Sequence, residues 1–194
     1  MKKIILSGIA VVLIAMVVYV VSVVNQAIQL DASADATWAQ VDNQYQRRYD
    51  LIPNLVATVK GYAKHENETL NQVVAGRSQA MQIKVSLDNP ADMQRYMQAQ
   101  ENLSGALSRL MAIAEAYPDL KANENFLSLQ SSLEGTENRI TVARQDYIAA
   151  VRSYNVMLRT IPSGWIIRKF TDLKPKATFT VAEPVRQAPR VSFE

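Results

Sequence analysis

The chain has 194 residues with 21 Lys and Arg against 18 Asp and Glu, one His, and a formal charge of +3. Setting aside Lys2 and Lys3, which precede a long apolar run, leaves a charge of +1, too balanced for a nucleic-acid footprint. Cysteine is absent, which excludes thiol nucleophiles, disulfides and a lipid-bearing cysteine.

Ile4 to Val24 carries no charge, and Ser7, Gly8, Tyr19 and Ser22 are its only non-aliphatic interruptions. As a helix it covers roughly 30 Å, the hydrocarbon thickness of a bilayer. A signal-peptide core usually runs about 7 to 15 residues, and no small-x-small cleavage pattern follows, so the run reads as an uncleaved anchor. Lys2 and Lys3 lie before it, whereas the first charges after it are Asp31, Asp35 and Asp42. Positive charge stays cytoplasmic, which places the body on the outer side. The predicted organisation is an anchor over 1–24, a helical bundle over 25–170 and an extended tail over 171–194.

From Trp38 the apolar residues step by three and four through Val41, Tyr45, Ile52, Leu55, Val59 and Tyr62, with Val73 further on. The stripe keeps its phase across Pro53, which predicts one helix from the membrane to about Lys84, kinked at that proline. The alternative caps a new helix with Asp50, puts Pro53 in its first turn and gives four helices in all. Arg48 falls on the stripe, where burial demands a carboxylate from another helix, unless it snorkels outward. With Arg47 and Asp50 it forms a charged cluster beside Pro53.

A second helix starts at Pro90, capped by Asp88 or Asn89, and stops before Pro118. A third carries Phe126, Leu129, Leu133, Thr136, Ile140, Ala143, Tyr147, Ala150, Tyr154, Met157 and Ile161 on one seam, and Pro162-Ser163-Gly164 ends it. Between them lies Lys121 to Asn125, where Asn123 reads as a helix cap and Glu124 and Asn125 as interaction candidates. The fold class is therefore all-α: an apolar anchor, then an elongated antiparallel bundle of three long helices. The second helix, about 27 residues, spans roughly 40 Å against roughly 80 Å for the first beyond the anchor. Trp38, Val41 and Tyr45 are thus expected on an uncovered stalk, awaiting either the carboxyl tail or another copy of the chain.

Trp165 to Phe170 mixes apolar residues with Arg168 and Lys169; it reads as closing the open end of the bundle, with a membrane interface as its alternative. The tail has Pro175, Pro184 and Pro189 and no helical stripe; its scattered apolar residues, Phe193 among them, suggest docking on the bundle or on a neighbour. His65 has Glu66 and Glu68 nearby, but a metal needs three or four converging ligands, so no metal or cofactor is expected. Nor is there a nucleophile elbow or a phosphate loop.

Gln46 to Val56 (QRRYDLIPNLV), Thr58 to Ala63 (TVKGYA), Tyr117 to Phe126 (YPDLKANENF), Leu133 to Ile140 (LEGTENRI), Tyr154-Asn155 and Ala188 to Phe193 (APRVSF) together resemble the LemA family. The resemblance implies a bacterial single-pass membrane protein with an elongated helical body and no catalytic residues; with the charge flanks, the expected place is the inner membrane, amino terminus cytoplasmic and body outside. The expected role is a membrane-anchored structural or interaction protein, self-associating through its seam and tail, with a sensor or adaptor of another envelope protein as the alternative. A metal-dependent enzyme is the remaining class, and nucleic acid is not an expected partner.

Overall fold

The computed structural model describes residues 2–179, with side chains from residue 5 onward. Helix α1 runs Lys2–Tyr62, 61 residues that include Pro53, about 90 Å at the helical rise. Its amino-terminal part is exposed on every side, including Ile9, Leu13, Met16 and Val17. From Val23 on, burial contracts to a stripe through Ala27, Ala34, Val41, Tyr45, Arg48, Ile52, Leu55 and Val59. That change, from apolar all round to a seam stepping by three, four and seven, separates a lipid-facing pattern from a bundle-facing one within one helix.

The expected run to Lys84 is not what the chain does. After Tyr62 four residues form a turn, and α2 (Asn67–Gln82) doubles back along α1. Ala63 N–H donates to the Val59 carbonyl (2.8 Å), and beyond it Lys64, His65 and Glu66 carry no apolar stripe. Gly61, one residue before the end of α1, lowers helix propensity there. Leu70, Val73 and Ala80 belong to a separate buried stripe on α2. Tyr62 and Val73 looked in phase because the interval between them is close to three helical turns.

Pro53 neither ends α1 nor starts a new helix, and Asp50 is mid-helix, accepting from Gln46 Nε2 (2.8 Å) rather than capping. A proline at 53 has no N–H for the carbonyl of Tyr49, one turn back. Arg77 of α2 supplies the missing donor, its Nε lying 2.8 Å from the Tyr49 oxygen. The proline thus frees an acceptor that pins the returning helix. In urea unfolding, Arg77→Leu is expected to cost about 1–2 kcal/mol, and distinctly less in a Pro53→Ala background, where the restored amide takes the carbonyl. Equal costs in both backgrounds would remove the latch from the explanation of the fold.

Helix α3 (Pro90–Ala116) begins as expected, with Asn89 Oδ1 accepting from Ala91 N–H (3.0 Å) and Pro90 in the first turn. A short α4 (Pro118–Lys121) follows, then α5 (Glu124–Arg159), capped by Asn123, whose Oδ1 accepts from Phe126 N–H (3.0 Å). Side-chain pairs fix the directions. Gln100 of α3 meets Arg48 of α1, and Tyr117, just past the end of α3, meets Glu66, just past the end of α1, so α3 runs with α1. Asn123, Glu137 and Tyr147 of α5 meet Tyr62, Arg48 and Trp38 in turn, so α5 runs against it. The body is accordingly four antiparallel segments, α1, α2, α3 and α5, rather than three.

Pro162-Ser163-Gly164 ends α5 and also opens α6 (Ser163–Phe170), a helix the seam did not announce. A Cβ at Gly164 would overlap the Leu158 carbonyl, so this close crossing needs glycine. Ile166 and Ile167 of α6 join Val23, Ala27, Tyr154, Met157 and Leu158 in a small core at the membrane-proximal end.

Beyond α6, Thr171 to Phe179 is extended and docks along α5 and α1. Tyr154 Oη donates to the Lys174 carbonyl (2.9 Å) and Tyr147 Oη to that of Ala177 (2.8 Å). Asn155 reads Lys176 twice, donating to its carbonyl (2.8 Å) and accepting from its N–H (2.9 Å). Lys176 Nζ sits 2.9 Å from Asp31 and 2.6 Å from Asp35. Burial alone would lower the Lys176 pKa, but its hydrogen bonds to Asp35 and Asp31 outweigh that and raise it. Phe179 stacks on Trp38 at 6.0 Å, and the Arg144 guanidinium lies over the Phe179 ring at 4.4 Å. The chain therefore covers its own stalk: Val41 and Tyr45 are buried and Trp38 is half-buried, which removes the uncovered seam expected there.

Candidate functional site

One polar cluster lies inside the bundle. The α1 stripe turns Arg48 inward, leaving it 1% exposed. Its Nη1 donates to Glu137 Oε1 on α5 (2.9 Å) and to Ser104 Oγ on α3 (3.1 Å), while Nη2 donates to Gln100 Oε1, also on α3. Gln100 Nε2 in turn donates to Tyr49 Oη. The guanidinium also lies 4.9 Å from the centre of the Tyr45 ring. One cation therefore ties three helices at one level through charge-assisted hydrogen bonds and a ring face.

The surroundings are aromatic. Tyr45 meets Tyr96 edge-on at 5.4 Å, Tyr96 meets Trp38 at 5.5 Å, and Trp38 meets Tyr147 at 5.2 Å and then Phe179. The Tyr45 hydroxyl has its pKa raised by burial, against the lowering pull of Arg144 and Arg48. Burial likewise raises Tyr49, opposed by its hydrogen bond with Gln100, and raises Tyr96, reinforced by Tyr49 and Tyr45. These phenols stay protonated, so they enter the cluster as hydroxyl donors beside a fixed cation.

Glu137 faces two ways: its side chain keeps 42% of its surface while pairing with buried Arg48. Its exposed side lines a cleft of about 700 Å³ between α3 and α5, with Ser104, Ser108, Met111, Leu133 and Asn138. The cleft mixes apolar floor with short polar side chains, and the arginine cluster forms part of its wall. Among the described residues no group of acids and histidine is arranged to hold a metal ion.

The expected sites scatter. Arg48 and Tyr45 belong to the cluster, and Trp38 and Val41 continue it under the tail. Arg47, Asp50 and Pro53 are exposed on the outer face of α1, so the charged run splits, with one arginine in and its neighbours out. Asn123 is a cap that also donates to Tyr62 Oη (2.9 Å), and Glu124 and Asn125 are exposed beside it at the far end. Trp165 is 64% exposed at the membrane-proximal end, and Phe193 lies outside the described residues. Glu137, Ser104, Asn155 and Lys176 were missed. The demand of a buried Arg48 for a carboxylate was the one signal pointing toward Glu137.

An all-helical body clamped on a buried arginine is carried by a helix whose apolar part is, by length and composition, long enough to cross a membrane, which fits a membrane anchor. The LemA family profile matches residues 37–193, and the chain belongs to that family. It is 27% identical over 137 residues to Protein LemA of Metamycoplasma hominis, covering 71% of this chain and 59% of that protein. It is 22% identical over 187 residues to Magnetosome protein MamQ 2 of Paramagnetospirillum magneticum, covering 87% of this chain and 68% of that one. Against Magnetosome protein MamQ of Magnetospirillum gryphiswaldense the figures are 23% over 161 residues, 73% of this chain and 59% of that protein. The chain thus spans roughly three fifths to two thirds of these relatives' lengths.

Proposed function

We propose that this protein is a non-catalytic adaptor of the bacterial envelope, anchored in the inner membrane with its amino terminus cytoplasmic and its bundle outside. The observation that carries this is α1 itself: the apolar segment and the first bundle helix are one unbroken helix, Lys2–Tyr62. A flexible tether lets a domain sweep over a surface, whereas a continuous helix fixes the height and facing of the bundle. Such a strut suits a body that presents one face, here the α3–α5 cleft, to a neighbour in or near the same membrane. The self-covered stalk moves the balance from self-association through the seam toward partner binding.

A second reading, self-association, is favoured by the outer face of α5, where Val142, Ala149 and Val156 lie exposed at heptad spacing. Two measurements on the full chain test these readings. With no native cysteine, Ser128→Cys on the bundle is expected to react with an impermeant maleimide in intact cells, and Val12→Cys to stay protected by lipid. Reaction of Ser128→Cys only after lysis, or free reaction of Val12→Cys, sinks the topology. Light scattering in nanodiscs then separates the readings: one copy per disc supports the adaptor. A dimer lost in Val142→Glu/Val156→Glu supports self-association.

A further inference from the structure

We infer that α6 is an interfacial foot, seated among the anionic headgroups of the leaflet on the bundle side. This rests on Ile4 to Val24 crossing a bilayer, as proposed above. The first argument is depth. The inner face of α6, through Ile166 and Ile167, packs with Val23 and with Val20 and Val24 of α1. Phe170 lines an apolar groove with Met16, Val17, Val20, Val21 and Val24. At about 1.5 Å per residue, Met16 lies roughly 13 Å below Asn25, the first residue past the span. Val20 to Val24, on which Ile166 and Ile167 pack, lie within about 8 Å of Asn25, the depth of the headgroup and upper acyl layer, while Phe170 alone reaches toward Met16 nearer the middle of the core.

The second argument is composition. Ile161 is 90% exposed, Trp165 64% and Phe170 60%, so three large apolar side chains within ten positions keep most of their surface uncovered by the protein. Interleaved with them, Arg159, Arg168 and Lys169 are also exposed. In water this surface would be a liability; in a headgroup layer the rings sit at the interface and the cations meet lipid phosphates. The groove under Phe170 is continuous with the lipid-facing side of α1, so the bilayer is the occupant it opens toward. Gly164 contributes by letting α6 cross tight under Leu158, which presses the foot against α1.

Trp165 reports on this directly, since the one other tryptophan is Trp38 and subtraction of a Trp165→Phe sample isolates it. The full chain is placed in nanodiscs of mixed phosphatidylglycerol and phosphatidylcholine, with bromine near the headgroup end of the acyl chains or near their terminal methyls. Expected are a blue-shifted Trp165 emission, stronger quenching by shallow than by deep bromines, and loss of quenching by aqueous iodide. Arg168→Gln/Lys169→Gln is expected to restore part of the iodide quenching in anionic discs and to change little in pure phosphatidylcholine. Free iodide quenching with no bromine effect overturns the proposal. Protection from both quenchers in discs holding two copies also overturns it, by assigning α6 to a second copy. Val12→Trp in the Trp165→Phe background separates the two readings: deep-bromine quenching there, without any at Trp165, leaves the anchor standing and removes the foot.

Discussion

Glu137→Leu is expected to destabilise the bundle by about 3 kcal/mol, more than Arg48→Met, for which about 1–2 kcal/mol is expected. The asymmetry comes from exposure. Arg48 is 1% exposed and cannot regain water, whereas the Glu137 side chain, 42% exposed, needs only to turn into the α3–α5 cleft. Removing the carboxylate therefore strands a cation that cannot be deprotonated, held only by Ser104, Gln100 and the Tyr45 ring. Removing the cation leaves a charge that rehydrates, and methionine fills most of the space. The double variant Arg48→Met/Glu137→Leu should recover part of the Glu137→Leu loss, since no unpaired ion remains. Urea titration of the full chain in detergent measures all three. Equal single losses with plain additivity would show that the pair contributes by packing alone. Arg48→Lys is expected to behave as a disruption, because an ammonium on a single stem cannot serve acceptors on two helices in the guanidinium's planar arrangement.

The sequence carried the helices well wherever a helix ends on a chemically specific signal. Asn89-Pro90 and Asn123 cap as their side chains dictate, and Pro118 stops α3. The stripe also placed Arg48 and not Arg47 on the seam, because position 48 keeps the spacing of Tyr45, Ile52 and Leu55; between burial and snorkelling it left the choice open, and the fold buries it. The reversal after Tyr62 was hidden for a physical reason. Proline is the louder punctuation, and its cost was read as belonging to α1 alone. In the fold the cost is met from outside, by Arg77 donating to the Tyr49 carbonyl, so the helix survives at Pro53 and breaks at the quieter Gly61 to Glu66 segment. The partners of Arg48 were beyond periodicity. Glu137 lies one position from the Thr136 seam of a helix whose facing depends on that same reversal. Docking of the tail was one of the outcomes its apolar residues offered, but its register was not legible, since the Asn155 side chain meets the Lys176 backbone through hydrogen bonds that leave no mark in an apolar pattern. Asp31 and Asp35, read as the acidic flank that orients the anchor, are also the anions that hold Lys176.

Alkaline pH should unfold this body steeply, and the sign follows from its phenols. Burial raises the Tyr45 and Tyr96 pKa values above the ordinary 10.0, and Tyr147 moves the same way. Below about pH 10 these groups are protonated in folded and unfolded chains alike, so stability does not depend on them. Above it the unfolded chain loses protons that the folded chain keeps, so stability falls with rising pH, by up to about 1.4 kcal/mol per unit for each such group. Lys176 acts with the same sign: its raised pKa stabilises the docked tail below the unfolded value near 10.5 and ceases to as pH rises through the folded one. Tyr96→Phe is the discriminating variant, because it removes a buried hydroxyl while keeping the ring that packs on Trp38 and Tyr45. Its removal should cost little at neutral pH and should make the alkaline loss shallower by one proton. Circular dichroism of urea unfolding from pH 8 to pH 12 measures both slopes. Identical slopes for the two proteins would mean that Tyr96 ionises in the folded bundle as readily as in water, against the burial that closes it in.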